Sequence, residues 1–133
     1  MVLVDTSVWV EVLGKTGKQK RSALLDLLAN EEVILSRFHQ LELLQGCRDE
    51  TEWELLGSYL DDQDYLELSP SAWKSAARIY YDLRRRGRTV RSPIDCCIAQ
   101  LALDHDLMLL HRDRDFETIA EVRPLRQVWI NWP

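Results

Sequence analysis

Cysteine is scarce in this chain, which has 133 residues and only three cysteines. Cys47 stands alone, whereas Cys96 and Cys97 are neighbours on a predicted helix, where successive side chains point in different directions. No two of them have the spacing of zinc ligands. We interpret all three as small buried hydrophobic side chains, a use that fits a compartment in which thiols stay reduced.

Long apolar runs are also absent, since no stretch approaches the roughly 20 residues that a bilayer-spanning helix needs. The first run, Val2 to Val4, is far too short for a signal peptide and is followed at once by Asp5. We therefore expect a cytoplasmic protein without membrane association. With 46% hydrophobic and 29% charged residues and no repeat, linker or low-complexity segment, residues 1–133 are expected to form a single domain.

Positive charge is in the minority: the chain has 17 Lys and Arg against 22 Asp and Glu, which gives a net charge of -5. This balance argues against a general nucleic-acid coat, whose affinity comes from cations that neutralise phosphates. Residues 84–91 nevertheless hold five arginines and no acid, which is the clearest cationic segment of the chain. The same residues would also suit the end of a helix that stops at Gly87, and the two interpretations are compatible.

Strand-like runs alternate with helical segments, a pattern that predicts a parallel α/β sheet rather than a helical bundle or a sandwich. The first strand should be central and the third should lie at an edge. The predicted strands cover residues 2–4, 33–35, 65–68, 107–110 and 125–130.

Helix boundaries are marked by capping residues, by Ser-Pro pairs and by glycines. The second predicted helix places Leu24, Leu25 and Leu28 at helical spacing. Pro70 is expected at the first position of the fifth helix, where its missing N–H costs nothing. The predicted helices start near Thr6, cover 18–30, run from the Ser36 cap to Gly46, cover 50–61, run from Ser69-Pro70 to Gly87, run from Ser92-Pro93 to about His105, and cover 116–121.

Four acidic residues stand beside apolar runs or at predicted helix starts, namely Asp5, Glu42, Asp95 and Asp113. They are far apart in sequence, yet a compact α/β fold can bring them together, and ligands of open parallel sheets bind at the carboxyl ends of strands. Clustered carboxylates are what Mg²⁺ and Mn²⁺ prefer as ligands. The pattern therefore predicts a metal-dependent phosphodiesterase.

Two of these acids have structural alternatives at helix starts. Asp5 could be an N-cap, followed by the hydroxyls of Thr6 and Ser7. Asp95 lies three residues after the Ser92 cap, which is the capping-box position, and a carboxylate there also complements the helix dipole. A cap and a metal ligand remain equally open for Asp95.

Glu42, Asp113 and Asp115 have other structural alternatives. Glu42 is expected at the edge of a buried helix face, and the alternative is a boundary side chain that reaches solvent. Asp115 is well placed to cap a helix beginning at Phe116, which leaves Asp113 as the better metal candidate. His111 could be a ligand, but a lone histidine beside an apolar strand is more often a packed core residue, and we favour that interpretation.

Two other classes of function compete with a nuclease. A phosphatase would have a second Asp two residues after Asp5, where this chain has Ser7, and a phospho-receiver would have paired acids near its start. A non-catalytic binding module would use its five tryptophans as interface anchors, although core positions are their commoner use. No Ser-His-Asp or Cys-His set is evident, so attack by water on phosphorus is favoured over a covalent intermediate.

Taken together, four segments resemble the PIN-domain ribonucleases and, within that family, the VapC toxins of toxin–antitoxin pairs. Each segment is short, but their order and spacing match over essentially the whole chain. The segments are Val4 to Trp9, Glu42 to Gly46, Val90 to Ala99 and His111 to Phe116.

The resemblance implies a three-layer α/β/α fold with a parallel five-stranded sheet, and a Mg²⁺- or Mn²⁺-dependent endoribonuclease with one or two ions. It also implies a homodimer and a cognate antitoxin. The acidic positions of the family fall on Asp5, Glu42, Asp95 and Asp113, with Asp115 as an additional acid. Its small hydroxyl residue falls on Ser7 or Thr6. A PIN nuclease that processes RNA without a toxin role is the alternative.

Within this site, we expect Asp5 and Asp95 to be the main direct metal ligands, with Glu42 and Asp113 binding through water or holding a second ion. An acidic site cannot hold RNA by itself, so cations must do so. The available cations are Arg84, Arg85, Arg86, Arg88, Arg91, Arg112 and Arg114.

Overall fold

The computed structural model describes all 133 residues, which form one five-stranded sheet with helices on both faces. All strand pairs are parallel, and β1 is central while β3 lies at an edge, as predicted. The strands are β1 Val2–Val4, β2 Val33–Ser36, β3 Tyr65–Leu66, β4 Met108–His111 and β5 Gln127–Trp129. The helices are α1 Thr6–Val12, α2 Lys18–Leu27, α3 Arg37–Gln45, α4 Glu50–Asp61, α5 Ala72–Arg85, α6 Pro93–Asp104 and α7 Arg114–Ile119.

Alternating side chains of the central strand serve two separate hydrophobic clusters, because successive residues of a strand point to opposite faces. Leu3 packs with Ile34 and Leu109 in the cluster that includes the buried faces of α5, α6 and α7. Val2 and Val4 belong to a second cluster with residues of α1 and α2. The fold is therefore the expected three-layer α/β/α arrangement.

The strand order β3-β2-β1-β4-β5 places a crevice beside the central strand. The chain moves outward from β1 to β2 and β3, and then returns to the other side of β1 with β4 and β5. In open α/β sheets, ligands bind where the strand order reverses, at the carboxyl ends of the strands. Here that point lies between the ends of β1 and β4, directly before Asp5 and the segment 112–113.

Two predicted helix starts are confirmed by capping contacts, and one predicted helix end is confirmed by its backbone conformation. Ser36 caps α3 by accepting the N–H of His39 at 3.3 Å, and Ser92 caps α6 by accepting the N–H of Ile94 at 3.1 Å. Gly87 has φ 72° just after the end of α5, in the left-handed region that glycine adopts without the cost of a Cβ.

The start of α5 differs from the prediction, because Pro70 lies in a turn before the helix. The N–H of Ala72 donates to the carbonyl of Ser69 at 3.0 Å, which closes a turn with Pro70 at its second position, where its fixed φ is favourable. The helix then begins at Ala72. Thus the Ser-Pro pair marks the chain reversal and not the first helical residue.

Several other predictions are corrected in detail. Helix α2 ends at Leu27. Of the three leucines at helical spacing, Leu24 is buried and Leu28 packs against the same cluster, whereas Leu25 is 70% exposed. Strand β3 ends at Leu66 because only two of its residues pair with β2. Cys96 and Cys97 are buried as expected, but Cys47 is only half-buried.

No helix combines the length and the apolar composition that crossing a membrane would require.

Candidate metal centre

Three carboxylates converge in the crevice beside β1. Asp95 lies in the first turn of α6, Asp113 is the N-cap of α7, and Asp115 lies in the first turn of α7. One oxygen of each lies within 4.8 Å of the others. Oxygen ligands about 2.0 to 2.6 Å from a shared ion must lie within about 4 to 5 Å of one another, so this donor set fits a Mg²⁺ or Mn²⁺ ion.

The assignment of Asp115 as the helix cap is wrong. Strand β4 extends to His111 and α7 begins at Arg114, so the cap position falls on Asp113. Asp113 Oδ1 accepts the N–H of Asp115 at 3.0 Å. Asp115 is thereby released from capping, is only 7% exposed, and contributes to the same cluster as Asp113.

Arg91 is bound to this acidic cluster. Its guanidinium donates to Asp113 Oδ1 at 2.9 Å and lies 3.7 Å from Asp115 Oδ2. Its backbone N–H donates to Asp115 Oδ2 at 3.0 Å. Arg91 therefore offsets part of the repulsion between the two carboxylates, whereas the sequence had suggested an RNA contact for it.

Asp5 is buried at the end of β1, and both of its oxygens are hydrogen-bonded. Oδ2 accepts the backbone N–H of Ser7 at 3.0 Å and the Ser7 hydroxyl at 2.6 Å, so Asp5 also caps α1. Oδ1 lies 3.1 Å from Nε2 of His39. The Ser7 hydroxyl oxygen in turn accepts the backbone N–H of Arg112 at 2.9 Å, which connects the ends of β1 and β4.

Glu42 faces the same crevice from α3, one turn after His39. It is half-buried, and Thr6 Oγ1 donates to its Oε1 at 3.3 Å. Of the two hydroxyl candidates, Ser7 therefore holds Asp5 and Thr6 holds Glu42. Burial and the negative charge of Asp5 raise the pKa of Glu42, which shows that the two carboxylates influence each other electrostatically.

The carboxylates respond differently to the shared environment. Burial alone would raise the pKa of Asp5, but the hydrogen bonds from His39 and Ser7 outweigh it and hold the pKa below its ordinary value. Burial, the hydrogen bond with Asp115 and the charges of Asp113 and Asp5 raise the pKa of Asp95 to about 9. Without a cation, Asp95 therefore keeps its proton at neutral pH while Asp5 stays ionised.

His39 is the site residue that the sequence interpretation missed. It has no exposed surface, and it reaches Asp5 from the first turn of α3. The available signal was its position three residues before Glu42, which places both side chains on one helix face. His111, by contrast, is a core residue as expected. It packs between Phe116 and Trp129 and is hydrogen-bonded to Gln127.

The other arginines fall into two groups. Arg88 pairs with Glu121 at 2.7 Å, and Arg112 pairs with Glu11 while donating to the carbonyl of Ile130. The exposed side chains, for which the structure gives no carboxylate partner, are Arg84, Arg85, Arg86 and Arg114.

An apolar groove, which we call the α1–α4 groove, borders the acidic crevice. It encloses about 600 Å³ and is lined mainly by hydrophobic side chains of α1, α3 and α4, with Glu42 at its boundary. Leu13 and Leu55 are 52% and 70% exposed, although both are large and apolar. The residues that form most of its apolar wall are Trp9, Leu13, Leu43, Leu55, Leu56 and Tyr59.

Comparisons with known proteins identify relatives along nearly the whole chain. The family model of the PIN domain matches residues 2–122. The chain is 35% identical over 129 residues to the VapC ribonuclease Mb1587 of Mycobacterium bovis, covering 95% of this chain and 96% of that protein.

Solved structures with the same fold come from several bacteria. A chain of VapBC2 from Rickettsia felis, bound to a DNA fragment from their promoter, superposes with a TM-score of 0.77 at 18% identity over 98% of this chain and all of that one. A chain of VapBC-5 from Mycobacterium tuberculosis, a member of the VapBC family of toxin-antitoxin systems, superposes with a TM-score of 0.68 at 20% identity. The superposition covers 97% of this chain and 98% of that one.

Replacing Asp95 by Asn should stabilise the metal-free protein at alkaline pH. Because the folded state raises the pKa of Asp95, its favourable contribution is complete below about pH 4 and is lost as the pH rises towards 9. In EDTA at pH 8, the Asp95→Asn protein should be more stable by about 1 to 3 kcal/mol, less than the full electrostatic value because water reaches part of the pocket.

Chemical denaturation between pH 5 and pH 9 measures this difference. Asp26→Asn, which changes an exposed carboxyl of α2, is the matched control and should leave the pH profile of stability unchanged. Parallel profiles for the parent and the Asp95→Asn protein would contradict the prediction.

Proposed function

The chain belongs to the PIN domain family and, within it, to the VapC ribonucleases, and on this basis we propose that it is a metal-dependent endoribonuclease that acts as the toxin of a toxin–antitoxin pair. The observation that carries the proposal is the convergence of Asp95, Asp113 and Asp115 beside the buried Asp5. A non-catalytic binding module would have no reason to bury so much repelling charge in one crevice.

In this proposal, the metal ligands are drawn from Asp5, Asp95, Asp113 and Asp115, with Glu42 as a further ligand through water. In the metal-free protein, Arg91 and the proton on Asp95 neutralise part of the negative charge of the cluster. One or two divalent ions would displace both. Bound Mg²⁺ or Mn²⁺ would activate a water molecule and offset charge on the phosphate oxygens.

The chain's own residues supply orientation. Thr6 holds Oε1 of Glu42 and leaves Oε2 able to accept a hydrogen bond from the attacking water. Ser7 hydrogen-bonds both Asp5 and the backbone of Arg112, and so connects the acid at the end of β1 to the segment that leads into α7. Attack by water on phosphorus with departure of the 3′-oxygen would give products with a 5′-phosphate and a 3′-hydroxyl.

Asp5→Asn should reduce Mg²⁺-dependent RNA cleavage by roughly 100-fold or more, since an electrostatic contact to the reacting centre typically contributes that much. The measurement is single-turnover cleavage of a structured RNA by protein purified free of any partner. Asp26→Asn is the control and should cut like the parent. Equal cleavage by parent and Asp5→Asn would refute the metal-site model.

Bound RNA would contact the exposed arginines of the segment 84–86 and Arg114. The Asp5→Asn protein allows binding to be measured without cleavage. In that background, Arg85→Glu with Arg86→Glu should weaken RNA binding and flatten its dependence on salt, because each lost phosphate contact removes about 0.7 from the slope for a single strand.

The matched control for this charge reversal is Lys15→Glu with Lys18→Glu, which changes net charge equally at two exposed lysines elsewhere. It should weaken binding much less. If both double variants bind RNA alike, the segment 84–86 has no specific role in holding the substrate.

A cognate antitoxin is the proposed protein partner, and the α1–α4 groove is its proposed binding site. The groove offers large exposed apolar side chains of the kind that interfaces bury, next to the acidic crevice. A segment seated there would border Glu42 and could block access to the site. We also propose a homodimer, with Trp73 and its ring contact to Phe38 in an exposed position suited to an interface.

Leu55→Glu should abolish most binding of the cognate antitoxin, because it places an unpaired charge in an apolar contact. Light scattering of the chain with and without antitoxin measures this loss of binding. The same measurement tests the homodimer, because the chain alone should then have twice the 15.6 kDa mass of one copy. Lys18→Glu, outside the groove, should leave the complex intact. If Leu55→Glu formed the complex like the parent, the groove would not be the antitoxin-binding site.

The genomic neighbourhood distinguishes the toxin role from RNA processing without toxicity. An adjoining small gene whose product binds this chain and stops cleavage supports the toxin role, and its absence favours the alternative. The proposed compartment is the cytoplasm, where RNA is available and where the three unpaired thiols would stay reduced.

A further inference from the structure

His39 is one of the few fully buried polar side chains in the protein, and its ring lies between two other buried groups. Nε2 lies 3.1 Å from Asp5 Oδ1, and Nδ1 lies 3.0 Å from the hydroxyl oxygen of Ser36. Both His39 and Ser36 have no exposed surface, and Asp5 is 5% exposed. A hydrogen-bonded chain therefore runs from the N-cap of α3 through His39 to the end of the central strand.

We infer that His39 is a positioning residue, which fixes the carboxylate of Asp5 in the orientation that metal binding requires by donating its Nε2–H to Oδ1. The inference rests on the proposed function, because it concerns how the proposed metal ligand is held. His39 itself is not a metal ligand in this arrangement, since both of its ring nitrogens are already hydrogen-bonded.

The direction of each hydrogen bond follows from the partners. An ionised carboxylate only accepts, so the ring nitrogen that faces Asp5 must carry the hydrogen. Nδ1 is then the acceptor in the neutral ring, and the Ser36 hydroxyl donates to it. The same hydroxyl oxygen accepts the backbone N–H of His39 at 3.3 Å, so the helix cap also fixes the tautomer.

Counting lone pairs shows what this arrangement does to Asp5. A carboxylate has about four acceptor sites. Oδ2 uses two of them for Ser7, and Oδ1 uses one for His39. One site on Oδ1 remains, so Asp5 can offer a single oxygen to an ion, and His39 binds that same oxygen. Loss of the imidazole would leave Oδ1 without its hydrogen bond, so that only the two bonds from Ser7 to Oδ2 would orient the carboxylate.

Manganese binding tests the role without relying on catalysis. Calorimetric titration of the metal-free chain with Mn²⁺ should give about 10- to 100-fold weaker binding for His39→Leu, the range found when partners of metal ligands are removed. His39→Gln keeps an N–H close to the position of Nε2 and should bind within about threefold of the parent.

A destabilised control separates positioning from packing. Ile79→Val shortens a fully buried side chain of α5 that takes no part in the site, and it should lower stability by about 0.5 to 1.5 kcal/mol while binding Mn²⁺ like the parent. Circular dichroism confirms that each variant is folded. A second readout is the ¹⁵N spectrum of the parent without metal, which should show the hydrogen of His39 on Nε2.

Each outcome has one meaning. Parent-like Mn²⁺ affinity in folded His39→Leu would overturn the inference, as would a ring that carries its hydrogen on Nδ1 and none on Nε2. His39→Gln binding as weakly as His39→Leu would also overturn it, because the N–H would then contribute nothing beyond the shape of the ring. Failure of the parent itself to bind Mn²⁺ would remove the proposed function, a result recognised without any variant.

Discussion

Repulsion among carboxylates is the constraint around which the functional end of this protein is organised. Two ionised carboxylates about 5 Å apart repel by roughly 3 kcal/mol at an effective dielectric of about 20, and Asp95, Asp113 and Asp115 lie that close together. The structure reduces this cost in two ways: Arg91 pairs with Asp113 and Asp115, and the raised pKa of Asp95 keeps that carboxyl protonated. The proposed divalent cation would replace both Arg91 and the proton.

The fold supplies the geometry for this charge cluster. Four helices begin beside the acidic crevice: α1, α3 and α7 start just after strands, and α6 starts with Asp95 in its first turn. The positive, N-terminal ends of these helix dipoles therefore lie near the acids. Asp5 and Asp113 each serve as a helix cap as well as a member of the cluster. Capping and metal binding are therefore not competing explanations for these residues, because a cap holds the backbone while leaving other lone pairs available.

The α3 helix connects the acidic crevice and the α1–α4 groove. Its first turn carries His39 towards Asp5, and its second turn carries Glu42, which faces both the acidic crevice and the α1–α4 groove. A partner that fills the groove would thus contact the helix that aligns two of the acids. Inhibition by a bound antitoxin would follow from proximity, without a change of fold.

The sequence by itself determined the class of the fold and most of its elements, because those depend on local patterns. Apolar runs predicted the order of strands and helices, Ser36 and Ser92 marked true caps, and Asp5 stood where a central strand must end. Local patterns failed where a neighbour decides the outcome. Leu25 has helical spacing but no surface to pack against, and Pro70 fits a turn as well as a helix start.

Only the tertiary structure decided which side chains meet. The division of roles between Asp113 and Asp115 depended on the start of α7, which lies two residues before the predicted start at Phe116, and periodicity cannot resolve such a shift. The contact of Arg91 with Asp113 joins residues 22 positions apart in the chain, and that of His39 with Asp5 joins residues 34 positions apart. Such contacts arise from the packing of whole elements against one sheet, and no local propensity encodes them.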